Sequence, residues 1–401
     1  MNRVRTGLES FLDPASDGAG LARGARIGVV AHPASIDAGG RHLVDRLLDD
    51  GRFRLVRLFG PEHGVRGEAQ DMEAVAEPHD RASGLPVVSL YGDTESSLKP
   101  KLEHLSGLDA IVYDLQDIGT RFYTFVYTLS YVMEAARDAN IPVVVLDRPN
   151  PIGGLAVEGP VLDPEFASFV GRFPLPVRHG MTTGELAELF RTTYAIGGDV
   201  RVVPMSGWAR HMQFEDTGLP WVLPSPNMPT PDTARVYPGG CLVEGTNLSE
   251  GRGTTRPFEL AGAPWIDPAA FADALAHAGD AEGLDGVLFR AASFRPMFQK
   301  HAGLSCGGVQ VHVVDQAKAK AFSTYLVLIR EARRLAPDLF DWRRAPYEFV
   351  KDRLAIDLLL GRADLRPMLE AGAPLAEMEA AWTPGLARFA PDRRRVLMYE
   401  A

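Results

Sequence analysis

The feature that most constrains this chain is a series of short apolar runs, most of them followed within a few residues by a polar side chain. The runs cover residues 25–31, 53–59, 85–91, 108–113 and 142–146. Runs this short are buried strands rather than helices. Between the first two, Leu43, Val44, Leu47 and Leu48 mark one face of a helix over residues 41–50, which Gly51 ends. A second helix is expected over residues 122–139. Strands alternating with helices at this spacing predict an α/β fold, with a parallel sheet covered on both faces. Such a sheet gathers the carboxyl ends of its strands along one edge, where crevice sites form. His32, Glu62, Asp114, Asp117 and Asp147 all lie just beyond predicted strands.

The sharpest of these strand ends is Leu58-Phe-Gly-Pro-Glu62-His63-Gly64-Val-Arg-Gly67. Gly60-Pro61 breaks the strand and sets a carboxylate beside an imidazole on a turn, with glycines that let the backbone bend closely. Residues 70–83 are polar and without period, and read as a long loop beside this turn, with the composition of a lid.

After Pro151 the texture changes. Thr182 and Glu185 have capping-box spacing ahead of a helix to about residue 194, and residues 201–205 read as a strand. The proline tract at residues 220–231 cannot be helical and marks a domain boundary or rigid connector. A chain of 401 residues suits two domains, here residues 1–230 and 231–401. The second domain opens with a Gly-rich, polar stretch from Tyr237 to Thr254, which contains Glu244, Asn247, Glu250 and Arg252 and suits a loop approaching a ligand. Helices are then expected near residues 268–277, 317–335, 347–360 and 374–381, with strands near 287–293 and 309–314, an α+β pattern.

The remaining signals exclude chemistry. A net charge of −10 with no basic block argues against nucleic acid or an anionic membrane as partner. The opening residues show no signal-peptide pattern, so a cytoplasmic location is expected. Cys241 and Cys306 are far apart, and ten scattered histidines show no metal-ligand spacing, so neither a metal nor another cofactor is expected. There is no Gly-x-Gly-x-x-Gly after the first strand, no P-loop and no Gly-x-Ser-x-Gly elbow. What remains is a set of carboxylates around a sheet edge, the apparatus of glycoside hydrolysis. Glu62, emerging from an apolar strand, is the candidate general acid. Asp114, Asp117, Glu244 and Glu250 are the candidates for a second carboxylate.

Several ordered blocks then resemble the exo-β-N-acetylmuramidase family. They are Phe59-Gly-Pro-Glu-His-Gly64, Asp114-Leu-Gln-Asp-Ile-Gly-Thr-Arg-Phe-Tyr123, Leu146-Asp-Arg-Pro-Asn-Pro-Ile-Gly153, Glu158-Gly-Pro-Val-Leu-Asp163, Arg178-His-Gly-Met-Thr182, Pro224-Ser-Pro-Asn-Met228 and Glu244-Gly-Thr-Asn-Leu-Ser-Glu-Gly-Arg-Gly-Thr254. The resemblance runs from about Gly28 to the C-terminus and departs at His32-Pro33. It implies a Rossmann-like N-terminal domain, a smaller C-terminal domain and a cleft site between them. It further implies removal of N-acetylmuramic acid from the non-reducing ends of peptidoglycan fragments, with the proposed catalytic glutamate at Glu62. Without a signal, it implies recycling of imported muropeptides. The expected catalytic set is Glu62, Asp114 and Glu250. His32, His63, Asp117, Arg121, Tyr123, Asp147, Arg178, Glu244, Asn247 and Arg252 are expected to bind substrate, with Arg252 first, then Arg121 and Arg178, for the lactyl carboxylate. The rival readings are a sugar transferase and a non-catalytic muropeptide-binding protein. Whether the anomeric configuration is inverted or retained is open.

Overall fold

In the computed structural model of the chain, residues 3–62, 64–65, 79–92 and 94–401 are described. Strands β1 (Arg26–Ala31), β2 (Arg54–Gly60), β3 (Val87–Ser89), β4 (Ala110–Asp114) and β5 (Val143–Leu146) follow the apolar runs. The hairpin pair β6 (Glu158–Val161) and β7 (Pro176–Arg178) comes next, then β8 (Val200–Val203). Strand order in the main sheet is β3-β2-β1-β4-β5-β8, parallel throughout.

Alternation along each strand explains the burial on both faces. On β4, Ile111 and Tyr113 face the large core, while Ala110 and Val112 face a second one with Leu43, Val44 and Leu47 of the helix Leu43–Asp50. Gly51, at φ 65°, ends that helix as expected. A short helix, Gly7–Phe11, capped by Thr6, was not legible and closes the same face. The Thr182–Glu185 capping box forms, and it starts the helix Thr183–Thr192.

The C-terminal half holds an antiparallel sheet of β9 (Leu260–Ala263), β10 (Val287–Phe294) and β11 (Cys306–Val313), in the order β10-β11-β9. Helix Pro268–Glu282 packs on β10 and β11 and helix Pro231–Gly240 on β11, and helix Ala321–Leu335 packs against both helices. The large core is continuous between halves, running from Ile111 and Val145 to Leu242, Phe258, Tyr325 and Leu359. The architecture is the expected α/β one: a parallel-sheet N-terminal part with a smaller α+β C-terminal part.

Three segments differ from expectation. The stretch at Tyr237 is not a loop but the end of the helix Pro231–Gly240, which has proline at its first position and Thr230 as cap, and continues as a 3-10 helix, Cys241–Gly245. Residues 347–360 are not one helix. Tyr347 and Val350 pair across a tight turn, and only Ala355–Leu360 is helical. The last helix, Leu375–Val396, runs well past residue 381 through Pro384 and Pro391. It is held by burial of Trp382 and Phe389 and by Arg393, which donates to the carbonyl of Gly180 at 2.9 Å. Among the described residues, no helix is long and apolar enough to cross a membrane.

Candidate active site

Strand β2 ends at Gly60, and Pro61 turns the chain so that Glu62 projects toward the C-terminal half, 7% exposed. Its support comes from the helix Phe125–Asp138. Thr124 occupies the N-cap of that helix without capping it, and its hydroxyl instead donates to Glu62 Oε2 at 2.7 Å. Glu62 lines a slot with Tyr123, Thr124, Ser225, Asn227, Tyr237, Glu244, Arg252, Phe258, Tyr347 and Glu348. The two halves of the chain thus meet at this carboxylate.

The far wall is an ion-paired network. Arg252 donates to Glu244 at 2.7 Å, lies 3.5 Å from Glu250, and stacks over the Phe258 ring at 5.0 Å. Tyr347 donates its hydroxyl to the other oxygen of Glu244 at 2.7 Å. Burial is the largest single effect on the Glu244 carboxyl and raises it, but the Arg252 charge and the hydrogen bonds from Arg252 and Tyr347 together outweigh it and hold the group below its ordinary range. Lys300 pairs with Glu250 at 2.8 Å and donates to the carbonyls of Val243 and Thr246. Gly253 lets the 252–254 loop approach this segment, because a Cβ there would meet the backbone of Met297 and Phe298 at 2.7–2.8 Å.

Glu244 and Arg252 also border an open basin of about 620 Å³ with Asn247, Glu250, Lys300, His301, Arg343 and Arg344. Four cations (Arg252, Lys300, Arg343, Arg344) face two carboxylates there, so the basin favours an anionic group. Asn247 sits on its wall, where its side-chain amide donates to the carbonyl of Leu339 at 2.7 Å.

Most other predicted site residues form a polar plug beneath the sheet edge. The sheet order reverses between β1 and β4. Near that switch, several strand-end side chains bind within the protein. His32 Nε2 accepts from the Gln116 backbone N–H at 2.9 Å, and its ring packs edge-on against Phe125. Asp114 is fully buried and held by both Nε and Nη2 of Arg148, the latter at 2.8 Å. Asp117 accepts from the Gly119 N–H at 2.8 Å and lies 3.3 Å from His179 Nε2. Arg121 spends its guanidinium on the carbonyls of Pro160, Leu175 and Leu359, and Arg178 donates to the carbonyl of Ile152. None of these five lines the slot or the basin. Their polar groups bind within the protein and hold loops together.

Asp147 likewise binds within the protein. It accepts from Thr182, the Gly184 N–H and Tyr399, and so ties the chain's end to β5. Burial raises its carboxyl to about 6, against the lowering effect of those donors. The folded state therefore binds this proton more tightly than the unfolded chain does. The group's contribution to stability falls as pH rises from about 4 to about 6, then levels off. Urea midpoints over that range will show wild type losing ground to Asp147→Asn as pH rises, whatever their difference at pH 4.

His63 and residues 70–78 of the expected lid lie outside the described residues. Within the described part of that segment, His79 bridges Pro86. Sequence reasoning missed Thr124, Ser225, Asn227, Tyr237, Phe258, Lys300, Tyr347 and Glu348 as wall residues. Ser225 and Asn227 were visible inside the proline tract, whose stiffness suits a fixed wall as well as a connector.

Residues 27–232 match the family model described as exo-β-N-acetylmuramidase NamZ, N-terminal, and residues 235–399 match its C-terminal counterpart. The peptidoglycan β-N-acetylmuramidase NamZ of Bacillus subtilis (strain 168) is 45% identical over 397 residues, covering 99% of this chain and 92% of that protein. A crystal structure of a DUF1343 family protein from Bacteroides fragilis NCTC 9343 superposes with a TM-score of 0.86 at 33% identity, covering 99% of both chains. A second DUF1343 structure from that organism gives 0.73 at 27% identity, covering 100% of this chain and 99% of that one.

Proposed function

The chain belongs to the exo-β-N-acetylmuramidase family, a family of glycosidases, and on that premise we propose that it releases N-acetylmuramic acid from the non-reducing ends of peptidoglycan fragments. The observation that supports this best is the position of Glu62, a nearly buried carboxylate on a hydrogen-bonded turn where the two halves meet. In this reading Glu62 is the general acid. It gives its proton to the glycosidic oxygen as the bond to the anomeric carbon breaks, and the Thr124 hydroxyl fixes its rotamer. The cationic surplus of the adjoining basin suits the lactyl carboxylate that distinguishes N-acetylmuramic acid from N-acetylglucosamine.

Two measurements test this. Pure protein will release chromophore from a chromogenic N-acetyl-β-muraminide and little from the matching glucosaminide. No release from the muraminide sinks the reading. Arg252→Ala will raise KM for the muraminide about 10–100-fold, as expected for loss of a charge-assisted hydrogen bond of about 1.5–3 kcal/mol. Equal effects on residual glucosaminide turnover would take Arg252 out of carboxylate recognition and leave it as the partner of Glu244.

A further inference from the structure

We propose that Glu348 is the second catalytic carboxylate, set across the slot from Glu62; the inference rests on the glycosidase reading above. Glu348 lines the same slot as Glu62, is 7% exposed, and comes from the C-terminal half, whereas Glu62 comes from the N-terminal half. A sugar held between the halves would meet one carboxylate from each. Of the acids expected for this role, Asp114, Asp117 and Glu250 do not line the slot, and Glu244, which does, has one carboxyl oxygen on Arg252 and the other on Tyr347.

The backbone at Glu348 is the second observation. Glu348 and Phe349 are consecutive residues with φ of 43° and 69°, at the tip of a turn closed by hydrogen bonds of 3.0 and 2.9 Å between Tyr347 and Val350. A two-residue turn of this kind favours Asn-Gly, and a glutamate followed by a phenylalanine in left-handed geometry is strained. Such strain persists only where the surroundings over-determine it, and it clusters at functional sites. Here both neighbours are pinned. Tyr347 is held by its bond to Glu244 and by Arg343 over its ring at 5.2 Å. Phe349 packs in an aromatic cluster with Tyr91 and Phe169, at 6.2 and 6.1 Å between ring centroids. Pinning the side chains on either side fixes the direction of the one between them.

In the reaction, the proton of Glu62 goes to the glycosidic oxygen as the C1–O bond breaks. Glu348 supplies the electron pair on the other face of C1, directly or through a water whose proton it takes. One water is consumed in either case, its oxygen ending on C1. Glu348→Gln will lower kcat on the muraminide about 10²–10⁴-fold, with the thermal midpoint close to wild type. Glycine relieves the turn, so Glu348→Gly is the variant for rescue. Sodium azide, which needs no base to attack C1, will restore turnover and yield a glycosyl azide. A purely structural glutamate would not respond in this way. Wild-type turnover with Glu348→Gln within tenfold of it overturns the inference, as does a Glu348→Gly enzyme that forms no glycosyl azide. A wild-type protein inactive on the muraminide overturns the glycosidase reading itself, and the inference with it.

Discussion

Glu62→Gln will lower kcat on a muraminide with a poor leaving group about 10²–10⁴-fold, with KM changed little and the fold intact. Glutamine keeps the shape of the side chain and can still accept from Thr124 Oγ1, now 2.7 Å from Oε2, so the slot keeps its geometry and loses only the transferable proton. The leaving group then separates an acid from any other role. A dinitrophenolate departs with little protonation, so the loss on that substrate will shrink by an order of magnitude or more. For Glu348→Gln, which acts on the other side of the anomeric carbon, the loss will persist with both leaving groups. Equal losses for Glu62→Gln on the two substrates would remove Glu62 from the acid role while leaving the family assignment standing.

The contrast between Glu62 and the other strand-end residues shows what sequence can and cannot supply. The strands themselves were legible because a doubly covered parallel sheet needs continuous apolar runs. That polar residues gather at one edge followed from the parallel arrangement. Which of them faces the cleft did not, because orientation beyond a strand end is set by loop contacts from distant segments. His32 is turned by the N–H of Gln116, Asp114 by Arg148, and Asp147 by Tyr399 from the far end of the chain. For Glu62, Gly60-Pro61 ends β2 and turns the chain, and the distant Thr124 hydroxyl then holds the carboxylate.

Glu348 was invisible for the opposite reason. The stretch from Ala345 to Val350 offers no glycine or asparagine to announce left-handed backbone, and its apolar spacing imitates a helix. Tertiary contacts to Glu244, Tyr91 and Phe169 override that local pattern. The last helix was underestimated similarly. Pro384 and Pro391 each remove an internal hydrogen bond, but packing of Trp382 and Phe389 keeps the helix continuous.

Arg148→Ala will destabilise the fold by about 3–5 kcal/mol, the largest stability effect expected of a single change near the sheet edge. Arg148 is 5% exposed and Asp114 is fully buried. Removing the guanidinium leaves Asp114 with an uncompensated charge under the switch between β1 and β4, and also removes the 3.1 Å bond to the carbonyl of Ile36. The charge is the main loss, so removing it should recover most of the stability. Asp114→Leu combined with Arg148→Met will be far closer to wild type than Arg148→Ala alone, since an apolar pair of similar volume often replaces a buried ion pair without penalty. Urea unfolding of the two single variants and the double variant completes a cycle that isolates the pair's coupling. The same proteins settle whether Asp114 does chemistry. If it only braces the sheet edge, the double variant will keep kcat within about tenfold of wild type, far from the loss expected on removing a general acid. A folded double variant as inactive as Glu62→Gln would return Asp114 to the catalytic set, despite its burial beneath the slot.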